Sequence, residues 1–211
     1  MYTHNRQVSL GFTPDRYPEG THICYLYDDE EERKRFMSAY VSSGMDERES
    51  VTYLADAAPG ALDRTFGELG IARPSQDRQN HLLVASAVET ICPGGRFDPD
   101  AMLDRLRDMY ALHDAAGCAG TRVTGEMTWA LHDVPGTDHL IEYEGGVNDL
   151  VKTYPLTAIC QYDTRKFDGA TIFDLLNVHP IMIVHGQIMR NPFYVPPDPS
   201  SGAPSDTCDG K

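Results

Sequence analysis

The chain has 211 residues, 41% of them hydrophobic, which suits one domain with a sizeable core. Its 32 acids against 18 bases give a formal charge of −14. That balance speaks against non-specific binding to nucleic acid or to an anionic membrane, since both need a basic surface.

The first residues lack the apolar region of a signal peptide, and the longest apolar runs are far below the ~18–20 residues of a membrane span. Cys24, Cys92, Cys118, Cys160 and Cys208 show no Cys-x-x-Cys spacing. Reduced thiols and a cytoplasmic location are the expectation. Residues 1–20 hold Pro14, Pro18, Gly11 and Gly20, and read as an extended N-terminal arm. His22 to Tyr27 is short, apolar and rich in aromatic and β-branched residues, the pattern of a buried strand. It stops at five consecutive acids, residues 28–32. Asp28 suits an N-cap, and carboxylates suit the positive end of a helix dipole. Phe36, Met37 and Tyr40 stripe the helix that follows, and Gly44 is placed like its C-cap.

A second strand is expected over 50–55, then a helix from Pro59 to Gly70, a polar loop over 72–80 and a strand over 81–87. Asp98-Pro99 supplies the cap and first position of a helix over 99–115, striped by Met102, Leu103, Leu106, Met109 and Tyr110. A strand over 121–127 and a helix over 138–152 follow. Then come a strand over 156–161, a helix over 168–177 and a hairpin at His185-Gly186. After Tyr194 the composition turns to Pro, Ser, Gly and Asp, which cannot bury apolar area. Residues 198–211 are expected to be a disordered tail.

Strands alternating with helices imply an α/β fold: three layers, a mainly parallel sheet covered on both faces, and a closing antiparallel hairpin. Ligands in such sheets sit beyond the strands' carboxyl ends. In many relatives of this architecture the first such loop is Gly-rich and holds phosphate on backbone N–H groups. Here it carries acids and no Gly or Lys-Ser/Thr pair, so no nucleotide or other cofactor is assigned. The ligand-binding candidates at that edge are Tyr27, Glu126, Met127, Trp129, Gln161 and Tyr162. Glu126 would be the polar anchor, Met127 and Trp129 an apolar wall, and the tyrosines flanking rings.

An alternative is a metal site built from His22, Cys24, Cys160 and His179. His22 and Cys24 share one face of their strand. The four residues match no recognised ligand spacing, and free Cys is commonly buried as a small apolar group, so no metal is assigned. Glu142 and Glu144 lie on the helix over 138–152, with Asn148 at i+4 from Glu144, and read by default as a solvated face. Asn191-Pro192 with Phe193 and Tyr194 reads as a structural lock.

Several stretches taken in order are similar to one family: HICYLYDDEEE, GGRFDPDAML, RVTGEMTWAL, YEGGVND, AICQYDTRKF and VHPIMIVHGQIMRNPFYVPP. They resemble the MEDS domain, the DcmR-type sensory domain of methanogens and methylotrophs. The resemblance implies a RecA/KaiC-like fold lacking the phosphate loop. It covers about His22 to Pro197, so with the arm and tail read above the chain divides into an arm (1–20), a sensory domain (21–197) and a tail (198–211). It implies a cytoplasmic, non-enzymatic signalling input domain whose proposed ligands are small hydrocarbon derivatives. The expected partners are that ligand and a signalling protein in trans, such as a histidine kinase or a transcription regulator. Direct nucleic-acid or membrane contact is not expected, and self-association stays open. Two other readings stand beside the sensor. One is a degenerate ATPase-like interaction module, with a filled crevice and an exposed apolar patch. The other is an enzyme using Glu126 or the Cys/His set.

Overall fold

The computed structural model describes residues 6–70 and 81–196. The expected loop over 72–80 and the tail over 198–211 lie outside the described residues. Residues 6–20, read as an extended arm, form a two-stranded antiparallel ribbon, β1 (Gln7–Ser9) and β2 (Arg16–Pro18). Its Val8 and Leu10 are fully buried, so the ribbon belongs to the core.

The body is a seven-stranded sheet built from β3 (His22–Tyr27), β4 (Ser50–Ala55), β5 (Leu82–Ser86), β6 (Thr121–Glu126), β7 (Thr157–Asp163), β8 (Ile181–Val184) and β9 (Gln187–Arg190). Its order is β5-β4-β6-β7-β3-β8-β9. All pairs are parallel except β8–β9, the closing hairpin. Thus the first hairpin strand extends the parallel sheet beside β3, and only the edge strand reverses. His185 and Gly186 turn it with φ of 46° and 73°, the left-handed backbone that tight hairpins require.

Two apolar clusters cover the faces. One packs α1 (Glu30–Asp46), the end of α2 (Leu62–Glu68) and the ribbon against Ile23, Tyr25, Val51, Tyr53 and Ile159. The other packs α3 (Ala87–Ile91), α4 (Pro99–Ala115), α5 (Leu140–Thr153) and α6 (Gly169–Val178) against Cys24, Leu54, Val123, Ala158 and Cys160. Period-two alternation sorts these strand residues between the faces, and both faces are buried, as in doubly covered parallel sheets.

Helix ends follow local chemistry. Asp29, one residue beyond the expected cap, accepts from the amides of Glu31 at 2.8 Å and Glu32 at 3.2 Å. Asp98 and Asp168 cap α4 and α6 in the same way. β6 stops at Glu126, one residue before the expected end, because Met127 opens a short 3₁₀ turn, Met127–Leu131.

Gly44 is not a C-cap. It lies inside α1, where a Cβ would meet Arg122 Cδ and Val51 Cγ2 at 2.8 Å. Its missing side chain admits Arg122, a fully buried residue near the start of β6 that pairs with the equally buried Glu49. Arg122 Nη1 also donates to Tyr40 O at 3.1 Å. Gly44→Ala tests this fit. Helix propensity favours Ala by about 1 kcal/mol, whereas overpacking costs about 1–3 kcal/mol. Because both contacted groups are buried, packing should win, and the urea midpoint should fall. An unchanged or raised midpoint would refute the packing role.

Candidate functional site

The carboxyl edge of the sheet is organised by Arg33, the fourth residue of α1. The first turn of the helix carries it back over the strand ends, where it is largely buried. Its Nη1 donates to Tyr53 Oη at 2.8 Å, Glu126 Oε1 at 3.0 Å and Gln161 Oε1 at 3.1 Å. Its Nε donates to Glu30 Oε2 at 2.8 Å. The guanidinium lies 5.5 Å from the Tyr27 ring centroid, a cation–π distance. Burial opposes the charge, but Tyr53, Glu126 and Glu30 outweigh it and keep Arg33 ionised.

Each partner is itself fixed. Glu126 accepts from Tyr53 Oη at 2.7 Å and from the Asp56 amide at 3.0 Å. Gln161 Nε2 donates to Thr124 Oγ1 at 2.9 Å, which leaves its carbonyl facing Arg33. Glu30 also accepts from Arg165 at 3.0 Å, and Arg165 donates to both oxygens of Asp163 at 2.8 Å. Alternating charges therefore run from Glu126 through Arg33, Glu30 and Arg165 to Asp163, across the crevice where a ligand was expected. The five-acid run supplies the cap and one link of this chain.

The six ligand-binding candidates do not form one pocket. Tyr27, Glu126 and Gln161 gather at Arg33. Met127 and Trp129 sit in the other core cluster, with Trp129 4.9 Å from Phe97, fully buried and not facing an open crevice. Tyr162 donates its hydroxyl to Glu144, also on that second face. Gln161 and Tyr162 are consecutive strand residues and must point to opposite faces, which the expectation of a shared pocket overlooked. Arg33 and Tyr53 were missed. The available signal was position: Arg33 stands three residues before Phe36 and seven before Tyr40, on the apolar stripe of α1.

A second polar cluster lies wholly buried between the sheet and α5. His22, Glu144, Cys160 and His179 bring four potential ligand atoms within 4.8 Å of one another. Three of these are from the alternative metal set. Glu144 takes the place of Cys24, which is buried in the adjoining apolar core. The expected solvated face of α5 is therefore corrected at Glu144 and Asn148, both buried, while Glu142 on the same helix remains exposed. Glu144 Oε2 lies 3.1 Å from His22 Nε2, 3.4 Å from His179 Nε2 and 3.4 Å from Cys160 Sγ. His22 Nε2 lies 3.4 Å from Cys160 Sγ. Burial, with His179 beside it, pushes the His22 pKa down and favours the neutral ring. Burial and Glu144 push the Cys160 thiol up.

Asn191 holds this region from outside. Its Nδ2 donates to Leu176 O at 2.6 Å and His179 O at 2.7 Å, and its Oδ1 accepts from the Phe193 amide at 2.9 Å. Between the sheet and helices α4 and α5 lies a small apolar cavity of about 20 Å³, bordered by Met102, Leu106, Met127, Tyr143, Val147 and Cys160. Among the described residues, no helix is long and apolar enough to cross a membrane.

The model of the MEDS family, described as the methanogen/methylotroph DcmR sensory domain, matches residues 21–180. The transcriptional repressor DcmR of Methylorubrum extorquens is 33% identical over 92 residues, covering 43% of this chain and 35% of that protein. The match thus spans about a third of the relative's length. A KaiC-like protein of the archaeon Pyrococcus horikoshii superposes with a TM-score of 0.60 at 15% identity, covering 84% of this chain and 80% of that one. The flagellar accessory protein FlaH of Methanocaldococcus jannaschii gives 0.55 at 10% identity, covering 86% and 83%. At these identities the likeness concerns the fold alone, which is of the RecA/KaiC type.

Two outcomes follow from the Arg33 network. Arg33→Met leaves the partly buried Glu126 without its cation and should cost about 2–4 kcal/mol in urea unfolding. Adding Glu126→Gln should restore part of that loss; strictly additive losses would refute the coupling. At the end of the chain of charges, hydrogen bonds from Arg165 hold the Asp163 carboxyl below its ordinary 3.8. Stability from a depressed carboxylate is complete above the unfolded-state value and is lost as pH falls through the folded one. Arg165→Gln should move the Asp163 titration up towards 3.8, read by carboxyl NMR, and an unmoved titration would count against the pair.

Proposed function

The chain belongs to the MEDS family of sensory domains, and we propose that it is a signalling input domain that responds to a small, partly apolar molecule. Its state would be read by a regulatory protein such as a histidine kinase or a transcription regulator. The observation that carries the ligand reading is the apolar cavity beside Met127 and Cys160. At about 20 Å³ it admits little more than one water-sized sphere. Met102 and Met127 border it, and the flexible thioether side chain is the kind that can repack around a small guest. This moves the ligand from the strand-end crevice to the face of the sheet behind it. Of the expected ligand residues, Met127 alone borders the cavity.

The same reading treats the loop after β3 as a phosphate loop without its chemistry. Acids stand where backbone room and positive charge are needed, and Arg33 fills the space. A second reading, an interaction module without a metabolite, draws on that filled crevice. It also draws on Phe173, Met189, Phe193 and Val195, which are exposed near the sheet's hairpin edge.

Trp129, the one tryptophan, lies in the same core cluster as the cavity. Titration with dichloromethane and other small halogenated or methylated compounds should change its emission saturably. Val147→Ile, which adds one methylene to the cavity wall, should abolish the response without lowering the melting temperature. Mg-ATP should show no low-micromolar binding in equilibrium dialysis. Absence of any response to the small compounds would remove the sensor reading in this form and leave the interaction module.

A further inference from the structure

We propose that His22, Glu144, Cys160 and His179 bind a divalent transition-metal ion, Zn²⁺ by ligand chemistry, in a closed four-coordinate site. The proposal rests on where the protons in this cluster must lie. Asn148 Nδ2 faces two backbone carbonyls, Glu144 O and Val178 O, so its Oδ1 is the end turned towards His22. His22 Nδ1, 3.1 Å from that oxygen, must therefore donate. His179 Nδ1 lies 2.7 Å from Leu175 O, which can only accept, so it donates too. A neutral imidazole with its proton on Nδ1 keeps a lone pair on Nε2, and both Nε2 atoms point inward. Tyr162 occupies Oε1 of Glu144 with its hydroxyl proton, leaving Oε2 as the inward oxygen.

Apart from the Cys160 thiol proton, which Glu144 Oε2 accepts, lone pairs thus meet lone pairs at the centre of a buried site. His179 Nε2, although 3.4 Å from Glu144 Oε2, has no hydrogen-bond partner among the described residues. A cation resolves the conflict. Tetrahedral coordination with bonds of about 2.0–2.3 Å places neighbouring ligand atoms about 3.2–3.8 Å apart. The inward atoms of His22–Glu144, His179–Glu144, Cys160–Glu144 and His22–Cys160 lie 3.1–3.4 Å apart, and all four atoms lie within 4.8 Å of one another. Metal binding would release the Cys160 proton, and the carboxylate and thiolate together would then cancel a divalent charge. The buried unit would be neutral. The donor set, imidazole with thiolate and a carboxylate, suits zinc or a neighbouring transition metal and is wrong for Mg²⁺ or Ca²⁺. The outward Nδ1 bonds are the outer-shell contacts that orient metal-binding histidines.

The four residues come from β3, α5, β7 and the connection between α6 and β8. An ion there would fasten the helical layer to the sheet. The assignment does not depend on the apolar cavity, and its readouts are separate from ligand titration.

The test is metal uptake by the full chain. Purified protein, stripped with a chelator, should take up one Zn²⁺ or Co²⁺ per chain and rise in melting temperature. The Co²⁺ form should show a thiolate-to-cobalt charge-transfer band and the intense visible bands of a four-coordinate centre. Cys160→Ser should abolish the charge-transfer band. Asn148→Ala, which frees the His22 ring, should weaken Co²⁺ affinity about 10–100-fold. If the folded wild-type chain takes up neither ion stoichiometrically, the cluster is a proton-shared network and the proposal fails. It fails equally if uptake occurs with spectra unchanged by Cys160→Ser, because the ion then sits elsewhere.

Discussion

The Arg33 guanidinium is the contact on which the carboxyl edge of the sheet depends. It joins the first helix to β4, β6 and β7 through Tyr53, Glu126 and Gln161. Remove the cation and the strand ends present a carboxylate, a phenol and an amide with too few partners. Such groups are costly when water cannot reach them. The acids after β3 make sense in this light. Asp29 starts the helix, and Glu30 completes the Arg33 donor set while recruiting Arg165. A run that looks merely repulsive in one dimension is, in three, half of an ion-pair network.

The opposite face of the same strands holds a polar cluster of a different kind. β7 alternates between the two. Gln161 serves Arg33, whereas Cys160 and Tyr162 turn towards Glu144 and the histidines. A one-residue slip of β7 would exchange these sets and leave both clusters unmatched, so the polar groups specify register as strongly as the apolar ones. The helices obey similar demands. α5 must present Glu144 and Asn148 inward among Leu140, Tyr143, Val147 and Val151, and Gly44 must stay small to admit Arg122.

A fold of the RecA/KaiC type brings with it a crevice at the strand ends, but a fold does not bring a function. In this chain the crevice is spanned by side-chain charges. Behind the sheet, His22, Glu144, Cys160 and His179 gather four inward ligand atoms, with His179 Nε2 unpartnered among the described residues, next to a small apolar cavity that shares Cys160. The proposed metal site and ligand cavity thus lie on a face where helices exclude water, away from the edge that topology favours.

Much of the architecture was legible in the residues. His22–Tyr27, Ser50–Ala55 and Pro99–Ala115 have the bounds that periodicity and capping expected, because local propensity, capping and hydrophobic pattern agree there. The motifs that resemble the MEDS family were equally readable, as were Tyr27, Glu126 and Gln161 as residues of one edge. The sequence did not show the side chains' company. Arg33 was not singled out at all, and Glu144 read as part of a wet face. Gly44 looked like a helix end. Each was decided by what folds against it from far along the chain: Glu126 against Arg33, His22 and His179 against Glu144, Arg122 against Gly44. Periodicity reports which way a side chain points relative to its own element. Only tertiary packing decides which distant donor or acceptor meets it there, and in a buried site that partner sets both its charge and its role.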